Sequence, residues 1–277
     1  MCASRLSRAA RTVRAIRTAV SRPPYVAPGQ FYSPLTSSED IRRALSWERG
    51  APGVNLNEDG QLAMAASLAT TMGQRPPGPR WSGGPENRMF GWADASVYRA
   101  MLGWLQPERI MEVGSGYSTM IALDEGYPVT CVEPYPDSLL SLVRPGDPVT
   151  LLRQPVQDVP LGLYDQLNAG DILFIDSSHV AKAGSDVCWL LLHVLPRLEP
   201  GAVVHLHDIF WPFEYPAAWL REHRDWTEDY LLHAFLSGNT SWEILWFSSW
   251  IWRCHPEVVP EHLRAEDPGS IWLRKRG

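Results

Sequence analysis

The 277-residue sequence predicts a doubly wound α/β fold: a seven-stranded, mainly parallel, Rossmann-like sheet with an N-terminal helical extension. Two patterns lead to it. From Arg109 onward, short apolar runs alternate with helical ones, as βα units require. Polar residues that a core would reject fall just where those runs end, at Glu112–Ser118, Glu133, Gln157-Asp158, Asp176–His179 and His207-Asp208. Open parallel sheets bind ligands outside the carboxyl ends of their strands, so five strand ends mark one rim.

Three segments precede or build that sheet. Residues 1–22 carry six Arg and no acid, with Leu6, Ala10, Val13, Ile16 and Val20 at helical spacing, and read as a basic leader or amphipathic helix. Residues 23–108 form a helical preface. It has a Pro-rich linker to residue 35, a helix start at Thr36–Asp40 leading into Ile41–Trp47, helices at Asp59–Met72 and Ala93–Leu105, and a Gly/Pro-rich loop at Gly73–Glu86. Residues 109–277 are the core. Its strands are Ile110–Val113, Val129–Val132, Val149–Leu152, Ile172–Ile175, Val203–Leu206, Trp242–Trp246 and Ile271–Arg274. Helices are expected at Ser118–Leu123, Pro136–Val143, Leu161–Leu167, Ala183–Leu198 and Ala217–Phe235.

Composition narrows the function. The chain is 45% hydrophobic and carries a net charge of −6, so residues 23–277 carry −12. An acidic body argues against a nucleic-acid substrate and for a small-molecule partner. Cys2, Cys131, Cys188 and Cys254 lack metal-site or disulfide spacing, which fits a reducing cytoplasm. The apolar runs are too short or interrupted for a transmembrane segment. The Trp-rich run Trp242–Trp252 reads as core and as the surface of a homo-oligomer.

The turn Glu112-Val-Gly-Ser-Gly-Tyr-Ser118 joins a strand to a helix, and Gly114 and Gly116 allow unusual dihedrals and close approach of a ligand. Such a turn is read either as a tight turn or as a cofactor cradle. Thr119 occupies the place of the third dinucleotide-binding glycine, which counts against a dehydrogenase. Glu133 lies 21 positions after Glu112 at the next strand end, where a carboxylate accepts both hydroxyl protons of a ribose.

With these residues, the chain from Arg109 to its end resembles the class I S-adenosylmethionine-dependent methyltransferases. Glu112–Ser118 is similar to that family's E/D-x-G-x-G-x-G turn with Ser118 for the last glycine, and Ile271–Arg274 to its antiparallel last strand. The resemblance implies that Glu112, Gly114, Gly116, Ser118, Glu133, Gln157 and Asp176 bind S-adenosylmethionine, Gln157 beside the adenine. More narrowly, Phe31–Pro34, Asn55–Gln61, Phe174–Val180, Gly184–Asp186 and His205–Pro216 resemble a bacterial subgroup whose substrates the resemblance does not supply.

Methyl transfer to a hydroxyl requires an oriented acceptor and a destination for its proton. His179, with an ordinary pKa near neutrality, is a candidate general base, and Asp208 is named with it as catalytic. Asp176, His207 and Asp208 are a candidate divalent metal site, by resemblance to catechol and macrolide-sugar O-methyltransferases. His207 stands where the catechol pattern has a carboxylate, which counts against Mg, an oxygen-seeking ion. Trp211, Glu214 and Tyr215 are candidate walls of an acceptor pocket. The expected activity is O-methylation of a sugar or natural-product hydroxyl; the alternatives are an N-methyltransferase, a nucleotide-dependent oxidoreductase and a non-catalytic cofactor-binding subunit.

Overall fold

The computed structural model describes residues 25–74, 80, 81, 87 and 89–277, so the basic pattern of residues 1–22 lies outside the described residues. These residues form two compact units, one of 25–48 with Pro216–Asp225, the other of Arg49–Tyr215 with Trp226–Gly277.

In the first unit, helix α1 (Ser38–Ser46) begins on a capping box in which Ser37 and Asp40 satisfy each other's backbone N–H groups. The single helix expected over Ala217–Phe235 is broken. It ends as α8 (Ala217–Arg221), and His223 and Asp225 then take left-handed backbone angles, each with φ 53°. The Asp225 carboxylate accepts from the Thr36 N–H and hydroxyl at 2.9 and 2.5 Å. Two such bonds outweigh helical continuity, a local preference that tertiary contacts readily override.

The second unit carries the seven-stranded sheet. Strands β1 (Ile110–Val113), β2 (Val129–Val132), β3 (Val149–Leu152) and β4 (Ile172–Ile175) match the predicted runs. Strands β5 (Val203–His207), β6 (Trp242–Phe247) and β7 (Ser270–Lys275) run one residue longer at one or both ends. The order is β3-β2-β1-β4-β5-β7-β6, with β7 antiparallel to both neighbours and β1 to β5 parallel. β1 and β4 are buried along their whole length, which is why they read as unbroken apolar runs rather than alternating ones. The chain winds from β1 outward to β3 and returns to β4, so a topological switch, and a crevice, lies between β1 and β4.

Helices α2 (Glu58–Gln74) and α3 (Trp92–Leu105) belong to this unit. Buried Gln61 ties α2 to the sheet: its carbonyl accepts from Phe247 N at 2.7 Å, while Asn57 donates to Ile244 O at 2.9 Å. The helix predicted over Ala183–Leu198 changes geometry twice, from α7 (Asp186–Trp189) to a π turn at Leu190–Val194 and a 3-10 turn at Leu195–Arg197. Pro196 has no N–H to bond four residues back and its ring crowds that carbonyl, so regular helix cannot continue through it. The expected Leu161–Leu167 helix is only α6 (Leu161–Tyr164). The remaining helices are α4 (Tyr117–Asp124), α5 (Asp137–Leu142), α9 (Glu228–Leu236) and α10 (Ser248–Cys254). The tryptophans of Trp242–Trp252 are buried within their own chain, so this run is core and offers no exposed tryptophan for self-association. His205 is core as well, stacked on Phe174 at 4.1 Å, and burial holds its ring well below the ordinary imidazole pKa.

Candidate active site

The β1 turn is built from beneath. Glu112 is fully buried, and its carboxylate accepts from the Ser118 and Thr119 hydroxyls, with Cys131 Sγ 3.7 Å away. Thr119 Oγ1 also accepts from Gly116 N at 3.1 Å, which fixes the start of α4. Burial raises the Glu112 pKa to about 7, against the two hydroxyl bonds that lower it and with some help from the charge of Asp176. Glu112 and Thr119 shape the turn and line neither of the two clefts described below.

The two glycines differ. Gly114 has φ +80°, and a Cβ there would lie 2.1 Å from the carbonyl oxygen of Asp176. Its freedom is therefore required by the chain's own backbone at the β1–β4 switch. Gly116 is extended, and a Cβ on it would meet nothing within 4 Å, so the space beside it is open.

A cleft of about 440 Å³ opens over the ends of β1, β2 and β4, lined among others by Gly114, Glu133, Tyr135, Gln157 and Asp176. The volume is in the range of small-molecule sites. Glu133 Oε1 accepts from Tyr135 N at 2.8 Å, and its other oxygen takes no donor among the described residues. Gln157 donates to Gly184 O at 2.8 Å, which anchors it on the far wall. A second cleft of about 230 Å³ is lined by Phe90, Gly116, Ser118 and Asp176, among others. Asp176 thus borders both.

The β4–β5 end of the rim collects charge. His179 Nε2 lies 3.3 Å from Asp176 Oδ1 and 3.7 Å from Asp208 Oδ2, and its Nδ1 lies 2.8 Å from Oε2 of Glu228, the first residue of α9. His179 and Asp208 both hold left-handed backbone angles, φ 59° and 57°. Such angles cost a non-glycine residue on the order of 1 kcal/mol or more and collect at functional sites. Burial opposes charge on His179, yet Asp176 and Glu228 outweigh it and hold the ring well above its ordinary pKa. That direction departs from the unperturbed value near neutrality expected of His179 as a general base. Burial raises Asp208, and the charges of His207 and His179 offset this only in part. Burial would also raise Asp176, but the His179 and His207 rings bring it below the ordinary carboxylate value.

His207 is buried, with no hydrogen bond on either ring nitrogen among the described residues. Nδ1 faces Asp208 at 3.7 Å and Asp176 at 3.9 Å, and Nε2 faces Asp94 at 3.8 Å. Burial opposes its charge, but Asp208, Asp94 and Asp176 raise it to about 9. Among the described residues, the donors gathered closely enough for one metal ion are Asp176, His179 and Asp208, whose ligand atoms lie within 4.8 Å of one another. The set named from the sequence had His207 in place of His179.

Residues 111–209 match the family described as "Methyltransferase domain". This part of the core is thus similar to a methyltransferase domain. An uncharacterised protein of Archaeoglobus fulgidus is 29% identical over 50% of this chain and 72% of its own. Among solved structures, the SAH-bound methyltransferase PaMTH1 of Podospora anserina is similar at 16% identity and TM-score 0.48, covering 81% of this chain and 98% of that one. The O-methyltransferase TomG of Streptomyces achromogenes, solved with SAM, is similar at 17% identity and TM-score 0.45, covering 87% and 97%. Among the described residues no helix is long and apolar enough to cross a membrane.

The loop after β5 turns inward. Tyr215 is buried, and its hydroxyl accepts from Asp229 N at 3.2 Å. Glu214 is held by the Tyr230 hydroxyl at 2.6 Å, and Trp211 N donates to Ser249 at 2.6 Å. These contacts secure the loop to α9 and α10. The sequence reading missed Glu228 and Asp94, because both lie far along the chain from the residues they face.

Proposed function

We propose that this chain transfers a methyl group from S-adenosylmethionine to a hydroxyl of a small molecule of sugar or natural-product type, in the cytoplasm. The observation that carries the reading is Asp176, a wall common to both clefts, with Asp208 beside it. Gly114 and Gly116 cradle the cofactor, the unengaged oxygen of Glu133 takes a ribose hydroxyl, and Gln157 flanks the adenine. Ser118 and the smaller cleft lie toward the other end of the cofactor. The methyl carbon passes in line from sulfur to oxygen, the breaking C–S pair returns to sulfur, and the acceptor's proton goes to Asp208. Burial makes Asp208 a stronger base than an ordinary carboxylate, which favours a hydroxyl over an amine that is already a free nucleophile.

Asp176, His179 and Asp208 fit a divalent cation, since the 3.3 and 3.7 Å separations around Nε2 suit neighbouring ligands of one ion. Such a cation would lower the acceptor's pKa, and a donor set with one nitrogen suits manganese or zinc better than magnesium. Calorimetry with S-adenosylhomocysteine tests the cofactor. Wild type binds it and ignores NAD, and Glu133→Ala weakens binding roughly tenfold to a hundredfold, the worth of hydrogen bonds to a charged group. A wild-type protein indifferent to the nucleoside ends the reading. Labelled cofactor with native-cell extract, with and without EDTA, then identifies the acceptor and the metal requirement.

A further inference from the structure

The geometry points to Glu228 as the positioning residue that aims His179 at the rim; the inference rests on the methyl-transfer reading of that rim. Glu228 is 1% exposed, and its carboxylate has two neighbours, His179 Nδ1 at 2.8 Å and Ser177 Oγ at 3.3 Å from each oxygen. The same two segments are joined through the backbone. Thr227 N and Glu228 N donate to His179 O at 2.8 and 3.1 Å, and Ala181 N donates to Thr227 Oγ1 at 2.7 Å. The Trp226 ring lies 4.3 Å from the imidazole.

The backbone bonds and Thr227 already fasten the loop after β4 to the start of α9. A buried carboxylate adds little stability to such a joint, because the cost of its desolvation consumes most of the attraction it gains. What it does add is direction. With Nδ1 given to Glu228, Nε2 is left as the atom that faces Asp176 and Asp208, the arrangement in which a carboxylate behind a histidine fixes the ring and strengthens it as a ligand. Glu228 lines neither cleft, so its effect on the reaction runs through the groups it holds, His179 at 2.8 Å and, more weakly, Ser177 at 3.3 Å.

The test uses the full chain loaded with S-adenosylhomocysteine, as wild type, Glu228→Gln and Glu228→Ala. Long-range proton–nitrogen spectra of the His179 ring, assigned by their loss in His179→Gln, read the ring directly. Wild type and Glu228→Gln show a proton on Nδ1, and Glu228→Ala shows a changed ring pattern. An unchanged pattern in Glu228→Ala overturns the assignment. Mn²⁺ titration supplies a second readout: affinity falls by about tenfold to a hundredfold in Glu228→Ala and stays near wild type in Glu228→Gln, as for other carboxylates behind a metal-bound histidine. Equal Mn²⁺ affinity in wild type and Glu228→Ala also overturns it. A wild type that takes no Mn²⁺ removes the metal reading and leaves the nitrogen spectra to decide Glu228. Unchanged affinity for S-adenosylhomocysteine reports an intact fold. Should the alanine variant not fold, Glu228→Asp, which keeps the charge but withdraws it by one methylene, gives the same ring change.

Discussion

At the β1–β2 end of the rim the chain offers mostly backbone: two glycines and a glutamate with one oxygen to spare. At the β4–β5 end it packs Asp176, Asp208, Glu228 and two imidazoles within a few ångströms of one another, with His179 and Asp208 on left-handed backbone. The first end can grip a ligand with little electrostatic cost. The second must hold like charges together, and it does so by interleaving carboxylates with imidazole rings and anchoring them to α9 and α3. Gripping is a local matter of shape, whereas a poised charge cluster needs support from distant segments.

The sharpest way to break this contrast is at the glycines. Gly114→Ala should abolish or severely reduce soluble, cooperatively folding protein, because its Cβ would lie 2.1 Å from a backbone oxygen at φ +80°. Gly116→Ala, with open space around its Cβ, should keep the thermal midpoint and weaken only S-adenosylhomocysteine binding. Equal behaviour of the two in thermal melts would dissolve the distinction.

Next in size, Asp208→Asn should slow methyl transfer by about 10²- to 10⁴-fold, the usual worth of a positioned proton acceptor. S-adenosylhomocysteine affinity should change little, since Asp208 lines neither cleft. A loss of nucleoside binding that matched the loss of rate would mean that the charged end also grips.

The smallest effect concerns Glu112. Its folded pKa of about 7 lies above the unfolded value of 4.5. Between those values the unfolded state has lost its proton while the folded state keeps it, so wild-type stability falls as pH rises and levels off above about pH 7. The total is on the order of 3 kcal/mol, an upper figure for a shift of this size. Glu112→Gln should remove that slope in urea titrations at pH 5 and pH 8, and an unchanged slope would place the buried charge elsewhere.

Legibility followed the same division. Four strands ran from end to end as read, β1 and β4 because strands buried on both faces are continuous apolar runs, and the glycine turn announced itself by local spacing. Helix ends were less visible. Nothing near Ala217 foretells that Asp225 will bond Thr36, and only Pro196 hinted that the helix over Ala183–Leu198 would change geometry. His179 was found as a residue, but the upward shift of its ring was not, since an imidazole's pKa depends on neighbours that the fold supplies.

The sequence alone determined the class of fold, the run of strands and the rim on which polar residues gather, because hydrophobic periodicity and turn chemistry are properties of short segments. Only the tertiary structure decided that Gly114 yields to the Asp176 carbonyl and that Glu228 stands behind His179. Contacts between residues about fifty or more positions apart leave no periodic trace in the chain. They exist only once β1 meets β4 and α9 closes on the loop after β4.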